Sequence, residues 1–200
     1  MKKEIKDLIR ESKDFLLSNN MELAKQCLLE AQKLSDNTHV EYLLGCCYYM
    51  ADDFNNAASC FLKATELGDN AEAEYSLGCC YELGDGVQEN KEEALRLFNK
   101  AAKQGNANAQ YKIAQCYYLG EGIPMNIEEG VKWYKMAAEQ GHSEAQYFLG
   151  EYYSREILFP ETNAEKIKAQ KNKEESIKWF KKAAEQGNQR AIKKLEKSNK

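Results

Sequence analysis

The 200-residue chain lacks the long hydrophobic run and the leader pattern that membrane and secreted proteins carry. Its longest apolar stretch, Leu43 to Met50, is interrupted by Gly45 and is far shorter than the roughly 20 residues that span a bilayer. The first residues are basic, but Glu4 and Asp7 follow where a signal peptide would be apolar. We therefore expect a cytoplasmic protein that does not engage a membrane.

Residues and motifs for catalysis are also scarce. The only histidines, His39 and His142, are far apart, near the starts of predicted helices, and we expect both at the surface. No Ser-x-x-Lys, His-Glu-x-x-His, Gly-x-Ser-x-Gly or P-loop pattern occurs. The Gly84–Gly86 and Gly120–Gly122 segments follow no predicted strand, so we interpret them as turns between helices and not as phosphate-binding loops. The sequence predicts no enzyme, no cofactor and no metal site.

The cysteine pattern is not that of a disulfide framework. The seven cysteines are odd in number, and five of them fall in Cys46–Cys47, Cys79–Cys80 and Cys116. A metal site or a redox switch is the alternative to buried thiols. Equivalent positions on packed helices lie about 8 to 10 Å apart, too far for an easy disulfide. We expect unreactive thiols in a reducing compartment, with neither a disulfide nor stoichiometric zinc.

The net charge of −4 is unevenly distributed along the chain. Residues 37 to 104 contain five basic and twelve acidic residues, whereas residues 189 to 200 contain five basic and one acidic. An acidic centre disfavours a nucleic-acid groove, which needs clustered lysine and arginine. We interpret the basic tail as a solvated helix end, with a polyanion site as the alternative.

What the chain does contain is a repeated pattern of helix-forming residues. Apolar residues make up 43% and charged residues 30%, a mixture that favours soluble helix. The segment Leu44–Tyr48 recurs at Leu77–Tyr81, Ile113–Tyr117 and Leu149–Tyr153, at offsets of 33, 36 and 36 residues. Its second position is always small, which lets two helices approach closely. That position is held by Gly45, Gly78, Ala114 and Gly150.

A second signature follows each of these segments. It is found at Phe61–Gly68, Phe98–Gly105, Tyr134–Gly141 and Phe180–Gly187. Its aromatic residue and alanine lie three apart, and its final glycine predicts a left-handed helix end. Asparagine followed three residues later by glutamate predicts helix starts at Asn90, Asn126 and Asn172. Each repeat is therefore a pair of helices, with Trp133 and Trp179 expected in the core.

The same spacing divides the whole chain into repeats. We predict one all-α domain over residues 1–200, a right-handed α-solenoid of helix-turn-helix repeats with a C-terminal capping helix, about eleven helices and no sheet. The predicted parts are helix pairs at 3–35 and 37–68, longer repeats at 69–105, 106–141 and 142–188, and a capping helix at 189–200. In the last repeat, an insertion at 156–170 replaces the Gly-x-Gly turn.

These motifs resemble two related repeat families. Residues 69–188 resemble Sel1-like repeats through Ala73–Tyr81, the Gly84–Val87 turn and Lys132–Gly141. Residues 3–68 resemble the shorter tetratricopeptide form, which lacks the Gly-x-Gly extension. The resemblance implies an adaptor or scaffold that binds proteins, and it does not imply a particular partner.

One face of the first helix in each repeat is the predicted binding site. By analogy with helical solenoids this helix lines the concave side, and tyrosine offers contact area and a hydroxyl at low entropic cost. The predicted groove residues are Tyr42, Cys46, Tyr49, Glu72, Tyr75, Cys79, Glu82, Tyr111, Gln115, Tyr118, Tyr147 and Glu151. For each tyrosine, ordinary packing between helices is the alternative.

The resulting prediction is a monomeric adaptor, scaffold or inhibitor whose acidic, tyrosine-lined groove binds a protein or peptide with a basic surface. One alternative is a self-associating structural module, which the charged C-terminal helix disfavours. Another is a hydrolase, for which no set of nucleophile, base and orienting residue is found. The insertion around Phe159 and Pro160 is an alternative location for the binding site.

Overall fold

The computed structural model describes residues 4–18, 20–155 and 162–198, and this part of the chain is built from α-helices. The eleven helices are α1 (Ile5–Leu17), α2 (Met21–Leu34), α3 (Thr38–Met50), α4 (Phe54–Leu67), α5 (Ala71–Leu83), α6 (Lys91–Lys103), α7 (Ala107–Leu119), α8 (Ile127–Glu139), α9 (Ser143–Arg155), α10 (Asn163–Glu185) and α11 (Gln189–Ser198). The described residues form no β-strand, so the predicted all-α fold is confirmed. Within the same ranges, no helix is both long enough and apolar enough to cross a membrane.

The chain divides into two compact units, Met1–Gly105 and Asn106–Lys200. In the first unit α1 packs on α2, α3 on α4 and α5 on α6. In the second unit α7 packs on α8, α9 on α10, and α11 on α10. Successive pairs within a unit touch through α2 and α3, α4 and α5, and α8 and α9. Each unit is therefore a stack of helix pairs.

Within a pair, an aromatic ring of the second helix packs on the small residue of the first. A Cβ atom added to Gly45 would lie 2.5 Å from the ring of Phe61. In the second unit, a Cβ atom on Gly150 would lie 2.6 Å from the ring of Phe180. Atoms do not pack at such distances, so glycine is what lets these helices meet. The predicted role of the small position is confirmed at these two contacts.

The cores consist mainly of alanine and leucine at the repeated positions. Leu28 and Leu44 are fully buried in the first unit, as is Leu149 in the second. Trp179 is 4% exposed, as predicted for a core residue. Trp133 is only partly buried because it packs at the margin of the cluster around Leu149. Both tryptophans therefore pack in the core as predicted, although Trp133 is not fully buried.

The predicted starts of α6 and α8 are confirmed. The side chains of Asn90 and Asn126 accept hydrogen bonds from the backbone N–H groups of Glu93 and Glu129, at 3.1 and 3.0 Å. Each glutamate carboxylate binds the basic residue three positions later. The asparagine half of the predicted capping box is thus formed at both sites, and the glutamates act in ion pairs on the same helix.

The predicted helix start at Asn172 is wrong. Helix α10 already begins at Asn163, where Thr162 and Glu165 form a reciprocal capping box at 2.9 and 3.2 Å. This motif satisfies two backbone N–H groups, so the helix starts about three turns earlier and encloses Asn172, which is 7% exposed. The insertion residues 156–161, with Phe159 and Pro160, lie outside the described residues, and their role as a binding site stays a prediction.

The glycines after the second helices follow the prediction with one exception. Gly105, Gly141 and Gly187 have φ values of 97°, 94° and 81°, in the left-handed region that glycine favours. Gly68 instead has φ 160° and ψ −177°, which is extended backbone. The left-handed prediction is wrong at Gly68 because the chain leaves α4 in an extended conformation that any residue can adopt.

Candidate protein-binding site

Four predicted groove residues of the first unit meet in a cleft beside α3, α4 and α5. The cleft has a volume of about 460 Å³ and is lined by Cys46, Tyr49, Met50, Phe61, Tyr75, Ser76 and Cys79. Apart from a few hydroxyl groups, these side chains present carbon and sulfur atoms. Three of them, Met50, Phe61 and Ser76, were not predicted as site residues. Met50 lies one turn after Cys46 on α3, a helical spacing that could have identified it.

Two tyrosines of this unit hydrogen-bond to a cysteine one helical turn later. Tyr42 bonds to Cys46, and Tyr75 bonds to Cys79. Burial, followed by the neighbouring cysteine, raises the pKa of both tyrosines well above the ordinary value, so both phenols stay neutral. The Tyr42 ring also lies 6.1 Å from that of Phe61. These tyrosines therefore pack between helices and also carry neutral hydroxyl groups close to the cleft.

Tyr49 forms one wall of the cleft and is also tied to the turn after α5. Its hydroxyl donates a 2.9 Å hydrogen bond to Asp85, and this bond, with burial, raises the pKa of Tyr49 to about 12. Its ring meets the edge of Phe54 at 5.1 Å. Gly86 fits beside them because a Cβ atom there would lie 2.0 Å from the carbonyl oxygen of Phe54. Asp85 was missed by the sequence reasoning, which treated Gly84–Gly86 only as a turn.

Two predicted acidic residues lie close to these tyrosines. Glu72 is exposed in the first turn of α5, and its charge contributes, after burial, to the raised pKa of Tyr42. Glu82 is half-buried near the end of the same helix and contributes in the same way at Tyr75. The cleft of the first unit therefore has negative charge beside an apolar lining.

Two other glutamates of the first unit, which were not predicted, are buried and neutralised. Glu41 is 1% exposed and pairs with Lys63 at 2.7 Å. Glu74 is 0% exposed, pairs with Lys100 at 2.7 Å and accepts a 2.6 Å hydrogen bond from Gln104. Because these carboxylates are held inside helix pairs, they are unavailable to a partner. Their helical spacing, three residues before a core leucine, was the signal in the sequence.

In the second unit, Tyr118, Tyr147 and Glu151 line a cleft of about 410 Å³. The other lining residues are Ile127, Phe148, Tyr152 and Arg155. Glu151 is not a free acid here, because it pairs with Lys194 at 2.6 Å and with Arg155 at 3.5 Å. This cleft is therefore aromatic, and its carboxylate is balanced by cations.

The remaining two predicted residues, Tyr111 and Gln115, are not part of that lining. Gln115 donates a 3.2 Å hydrogen bond to the hydroxyl of Tyr111. The Tyr111 ring contacts Tyr134 edge-on at 5.6 Å and stacks on His142 at 4.4 Å. Both residues are thus engaged within their own unit, as the packing alternative proposed.

The repeats of this chain match a known family over most of their length. The profile of the Sel1 repeat matches residues 39–69, 71–106, 107–142, 143–166 and 167–188. The chain belongs to the Sel1 repeat family. This confirms the resemblance of residues 69–188 to Sel1-like repeats, and it also assigns residues 39–69, which were expected to resemble the tetratricopeptide form, to the Sel1 repeat. A search of curated proteins finds no match.

Solved structures with this fold include other Sel1 repeat proteins. The chain is similar to a Sel1 repeat protein from Oxalobacter formigenes, with 25% identity and a TM-score of 0.79, over 96% of this chain and 77% of that protein. It is similar to c5321, a protective antigen of uropathogenic Escherichia coli with an SLR fold, with 27% identity and a TM-score of 0.68, over 86% of this chain and 35% of that one. YrrB, a TPR protein with an unusual peptide-binding site, shares the fold at 20% identity and a TM-score of 0.52, over 95% of this chain and 90% of its own.

The seven cysteines of this Sel1 repeat protein are free thiols. Cys47 and Cys80 are fully buried, and burial raises the pKa of their thiols to about 11 and about 12. The other five are only partly buried, so the expected burial is complete only at Cys47 and Cys80. In the described ranges, no three potential ligands gather at one point to hold a metal ion. Unreactive thiols without zinc remain a prediction.

Both histidines of this Sel1 repeat protein are half-buried, so the predicted surface position is wrong. His142 Nδ1 accepts a 3.2 Å hydrogen bond from the backbone N–H of Ala145 and so caps the first turn of α9. Asparagine does this in the first unit, at Asn37 and Asn70. Burial is the main cause that lowers the pKa of His39 and of His142.

Proposed function

We propose that this chain is a protein-binding module whose first unit holds a basic segment of a protein partner. Sel1 and tetratricopeptide repeats are commonly protein-interaction modules and typically lack enzymatic activity. YrrB, which shares the fold, has a peptide-binding site. The observation that carries the proposal is the cleft where Cys46, Tyr49, Tyr75 and Cys79 meet. Met50, 56% exposed, lies at its edge.

The lining of this cleft suits an apolar or aromatic anchor side chain. A volume of about 460 Å³ is enough for one large side chain and part of its backbone. Tyrosine at such a site supplies contact area, and the neutral hydroxyls of Tyr42 and Tyr75 add hydrogen-bonding groups close by. Aromatic residues in desolvated pockets contribute most to binding in protein interfaces.

The charge around the cleft favours a basic partner. Residues 37 to 104 carry twelve acidic and five basic residues. Two of those five, Lys63 and Lys100, are held by the buried Glu41 and Glu74. Glu72 is exposed near Tyr42 and Glu82 lies near Tyr75, so both add negative charge where a basic partner would bind. We therefore expect a segment in which lysine or arginine flanks an apolar anchor.

The proposed binding site includes fewer residues than the groove predicted from the sequence. We assign acidic recognition to the first unit alone, because Glu151 of the second unit is paired with Lys194. Tyr118 and Tyr147 are proposed as a second, aromatic contact. Tyr111 and Gln115, which are bonded to each other, are assigned to packing.

We also infer a cytoplasmic monomer, an adaptor or scaffold without catalytic activity or cofactor, that binds neither nucleic acid nor membrane. Seven free thiols, with burial raising the pKa of Cys47 and Cys80, suit a reducing compartment. Light scattering at micromolar concentration tests the monomer. A mass of two or more chains would favour the self-association alternative.

A peptide-binding measurement tests the cleft and its charge. The probes are nonapeptides rich in lysine and arginine around a central leucine or phenylalanine, with aspartate- and glutamate-rich peptides of the same length for comparison. Glu72→Lys/Glu82→Lys should weaken binding of the basic peptides about tenfold. The matched control, Glu66→Lys/Glu89→Lys, changes two exposed residues that do not act on Tyr42 or Tyr75, and it should weaken binding less than about threefold. Equal losses, or equally tight binding of the acidic peptides, would contradict the proposal.

Tyr49 needs a separate variant because it has two contacts. Tyr49→Phe keeps the ring in the cleft wall and removes the hydrogen bond to Asp85. If the ring is the anchor contact, this variant should bind the basic peptides within about twofold of the original chain, whereas Tyr49→Ala should lose about 1 to 2 kcal/mol of binding free energy. Thermal unfolding of both variants separates lost contact from lost stability.

A further inference from the structure

A second charged cleft lies within the second unit, and its sign is opposite to that of the first-unit site. It has a volume of about 510 Å³ and lies against α8, α9 and α10. Five lysines line it, namely Lys135, Lys168, Lys171, Lys178 and Lys182. Two glutamates, Glu139 and Glu175, also line it. The cleft therefore has excess positive charge, although the whole chain is acidic.

Four of the lysines form a single stripe along α10. Lys168, Lys171, Lys178 and Lys182 are separated by helical spacings, with Glu175 between them on the same face. Glu175 pairs with Lys178 at 3.2 Å, in a pair whose side chains are 34% and 54% exposed. Exposed pairs of this kind are weak, so a bound anion can compete for the lysine.

The repeat pattern explains why Lys182 is available to the cleft. It occupies the repeat position of Lys63 and Lys100, each of which pairs with a buried glutamate of the first helix. In the last repeat, the position of that glutamate is Gln146, which is uncharged and bonds to Gln186. The Lys182 ammonium instead lies 4.6 Å from the centre of the Trp179 ring.

Trp179 forms an aromatic floor beneath the lysines. Its indole is 4% exposed and is approached by both Lys178, at 5.8 Å, and Lys182. Cation–π contacts hold ammonium groups in place without neutralising them. Tyr153 of α9 and Lys135 of α8 complete the opposite side. Two of the five lysines are thus held against a fixed aromatic surface, and the other three line the same cleft.

The early start of α10 supplies two of the five lysines of this cleft. Lys168 and Lys171 belong to the turns of α10 that precede Asn172, where the repeat pattern predicted the helix to begin. Without the early start at Thr162, these two lysines would not lie on the helix. The extension of α10 is therefore what turns an ordinary helix pair into a lysine-lined cleft.

We propose that this cleft binds an acidic segment of a protein, rich in aspartate and glutamate. Several ammonium groups around one floor match carboxylates spaced along a peptide. A nucleic acid fits less well, because Glu139 and Glu175 would repel a continuous phosphate backbone and no arginine lines the cleft. The site lies in the second unit and has the opposite charge preference, so it goes beyond the binding function proposed for the first unit.

The test uses a fluorescein-labelled peptide of eight glutamates and fluorescence anisotropy on the full chain. Lys171→Glu/Lys182→Glu reverses two charges of the stripe and should weaken binding at least about tenfold. The matched control is Lys173→Glu/Lys181→Glu, which makes the same charge change at exposed positions of α10 outside the cleft. It should weaken binding less than about threefold. Glu82→Lys in the first unit should leave this binding within about twofold, because it alters only the other site.

Two further measurements distinguish loss of binding from loss of folding and report on binding at the cleft itself. Lys171→Gln/Lys182→Gln removes charge without adding any, and should still weaken binding by about threefold or more if the reversed variant is poorly folded. In a Trp133→Phe background, Trp179 is the single tryptophan, and its fluorescence should change when the peptide binds. A dissociation constant above about 1 mM for the peptide, equal losses in the cleft and control variants, or tighter binding of an eight-nucleotide oligothymidylate would overturn the proposal.

Discussion

The two units fill the same repeat position with different chemistry. Three residues before a core apolar residue of the first helix, the first unit has a buried glutamate, such as Glu74, and the second unit has a buried glutamine, such as Gln110. Glu74 is held by Lys100 at 2.7 Å. Gln110 accepts a 2.8 Å hydrogen bond from Gln140. In the neighbouring repeat of the first unit, Glu41 pairs with Lys63. In the neighbouring repeat of the second unit, Gln146 accepts a hydrogen bond from Gln186.

This difference shows what the position requires. A polar side chain buried between two helices must be satisfied by the second helix of its own repeat, and either a charge pair or an amide pair does so. Whether the first helix carries glutamate or glutamine also determines what the facing position of the second helix does. Where the first helix carries glutamate, the lysine of the second helix is occupied, as at Lys63 and Lys100. Where it carries glutamine, that position is Met136 or the cleft residue Lys182.

The largest expected effect on stability is at the residue that immediately precedes the aromatic residue of the second helix in each repeat. This position holds Cys60 and Leu97 in the first unit and Trp133 and Trp179 in the second. Trp179→Ala should lower the free energy of unfolding by about 3 to 5 kcal/mol, because it empties a buried site. Trp133→Ala and Cys60→Ala should cost less, since both residues are only partly buried. Denaturant unfolding measures the free energy of unfolding of all three variants. If Trp133→Ala lost more stability than Trp179→Ala, burial would not explain the order of the three effects.

The second effect breaks the buried charge pair of the first unit. Lys100→Met places at this position the residue that the next repeat has at Met136. It should cost about 2 to 3 kcal/mol, below the range for a fully buried pair, because the lysine is 42% exposed and water can reach it. Glu74→Gln/Lys100→Met recreates the combination of Gln110, Met136 and Gln140, and should recover most of that loss.

Denaturant unfolding of the two single variants and the double variant gives the coupling free energy. Additive losses, with no recovery in the double variant, would mean that the glutamate is not the reason why Lys100 matters. The amide pair of the second unit would then not be able to replace the charge pair of the first unit.

The third effect concerns the helix cap that differs between the units. Burial lowers the pKa of His142 in the folded chain below its ordinary value near 6.5. The unfolded chain therefore binds more protons between those two pKa values, so stability present above about pH 6.5 is lost as the pH falls through that range. His142→Asn, the residue used at Asn37 and Asn70, should change stability at pH 7.5 by less than about 1 kcal/mol and reduce this acid loss.

Thermal unfolding from pH 7.5 to 5 measures this pH dependence. His39 also has a pKa lowered mainly by burial, so His39→Gln serves as the comparison. An unchanged pH dependence in the His142→Asn variant would show that the cap at α9 does not titrate with folding.

The smallest effects are expected at exposed charges of either unit. Glu72→Lys in the first unit and Lys181→Glu in the second should each change the free energy of unfolding by no more than about 0.5 kcal/mol. Circular dichroism during thermal unfolding checks both. A larger change would mean that these residues support the fold and cannot serve as binding-site or control variants without correction.

Local spacing was enough to predict the helices and their pairing. The Leu44–Tyr48 pattern, the glycine at Gly45 and the caps at Asn90 and Asn126 lie within a few residues of the atoms they contact or satisfy. Helix period, close packing on a small residue and capping are short-range rules, so a single sequence expresses them. Four of the predicted groove residues also meet in one cleft for this reason, because they share faces of α3 and α5.

Local spacing was not enough where two helix-start patterns compete or where a residue's partners lie on another helix. Asn172 carries a helix-start pattern, but the capping box at Thr162 begins the helix earlier and buries Asn172. The spacing of Glu74 before a core leucine indicates burial, but its partners Lys100 and Gln104 lie on the following helix. At the start of α10 two local capping patterns compete, and at Glu74 the partners are about 26 to 30 residues away, so neither outcome follows from one local pattern alone.

The sequence by itself determined the family, the repeat length and the positions at which small, aromatic and capping residues stand. Tertiary structure alone decided which charges are available to a partner. Glu41 and Glu74 are buried and neutralised, and Glu151 is paired with Lys194. The physical reason is that availability depends on burial and on a partner cation from another helix, and these arise only when the helices pack together.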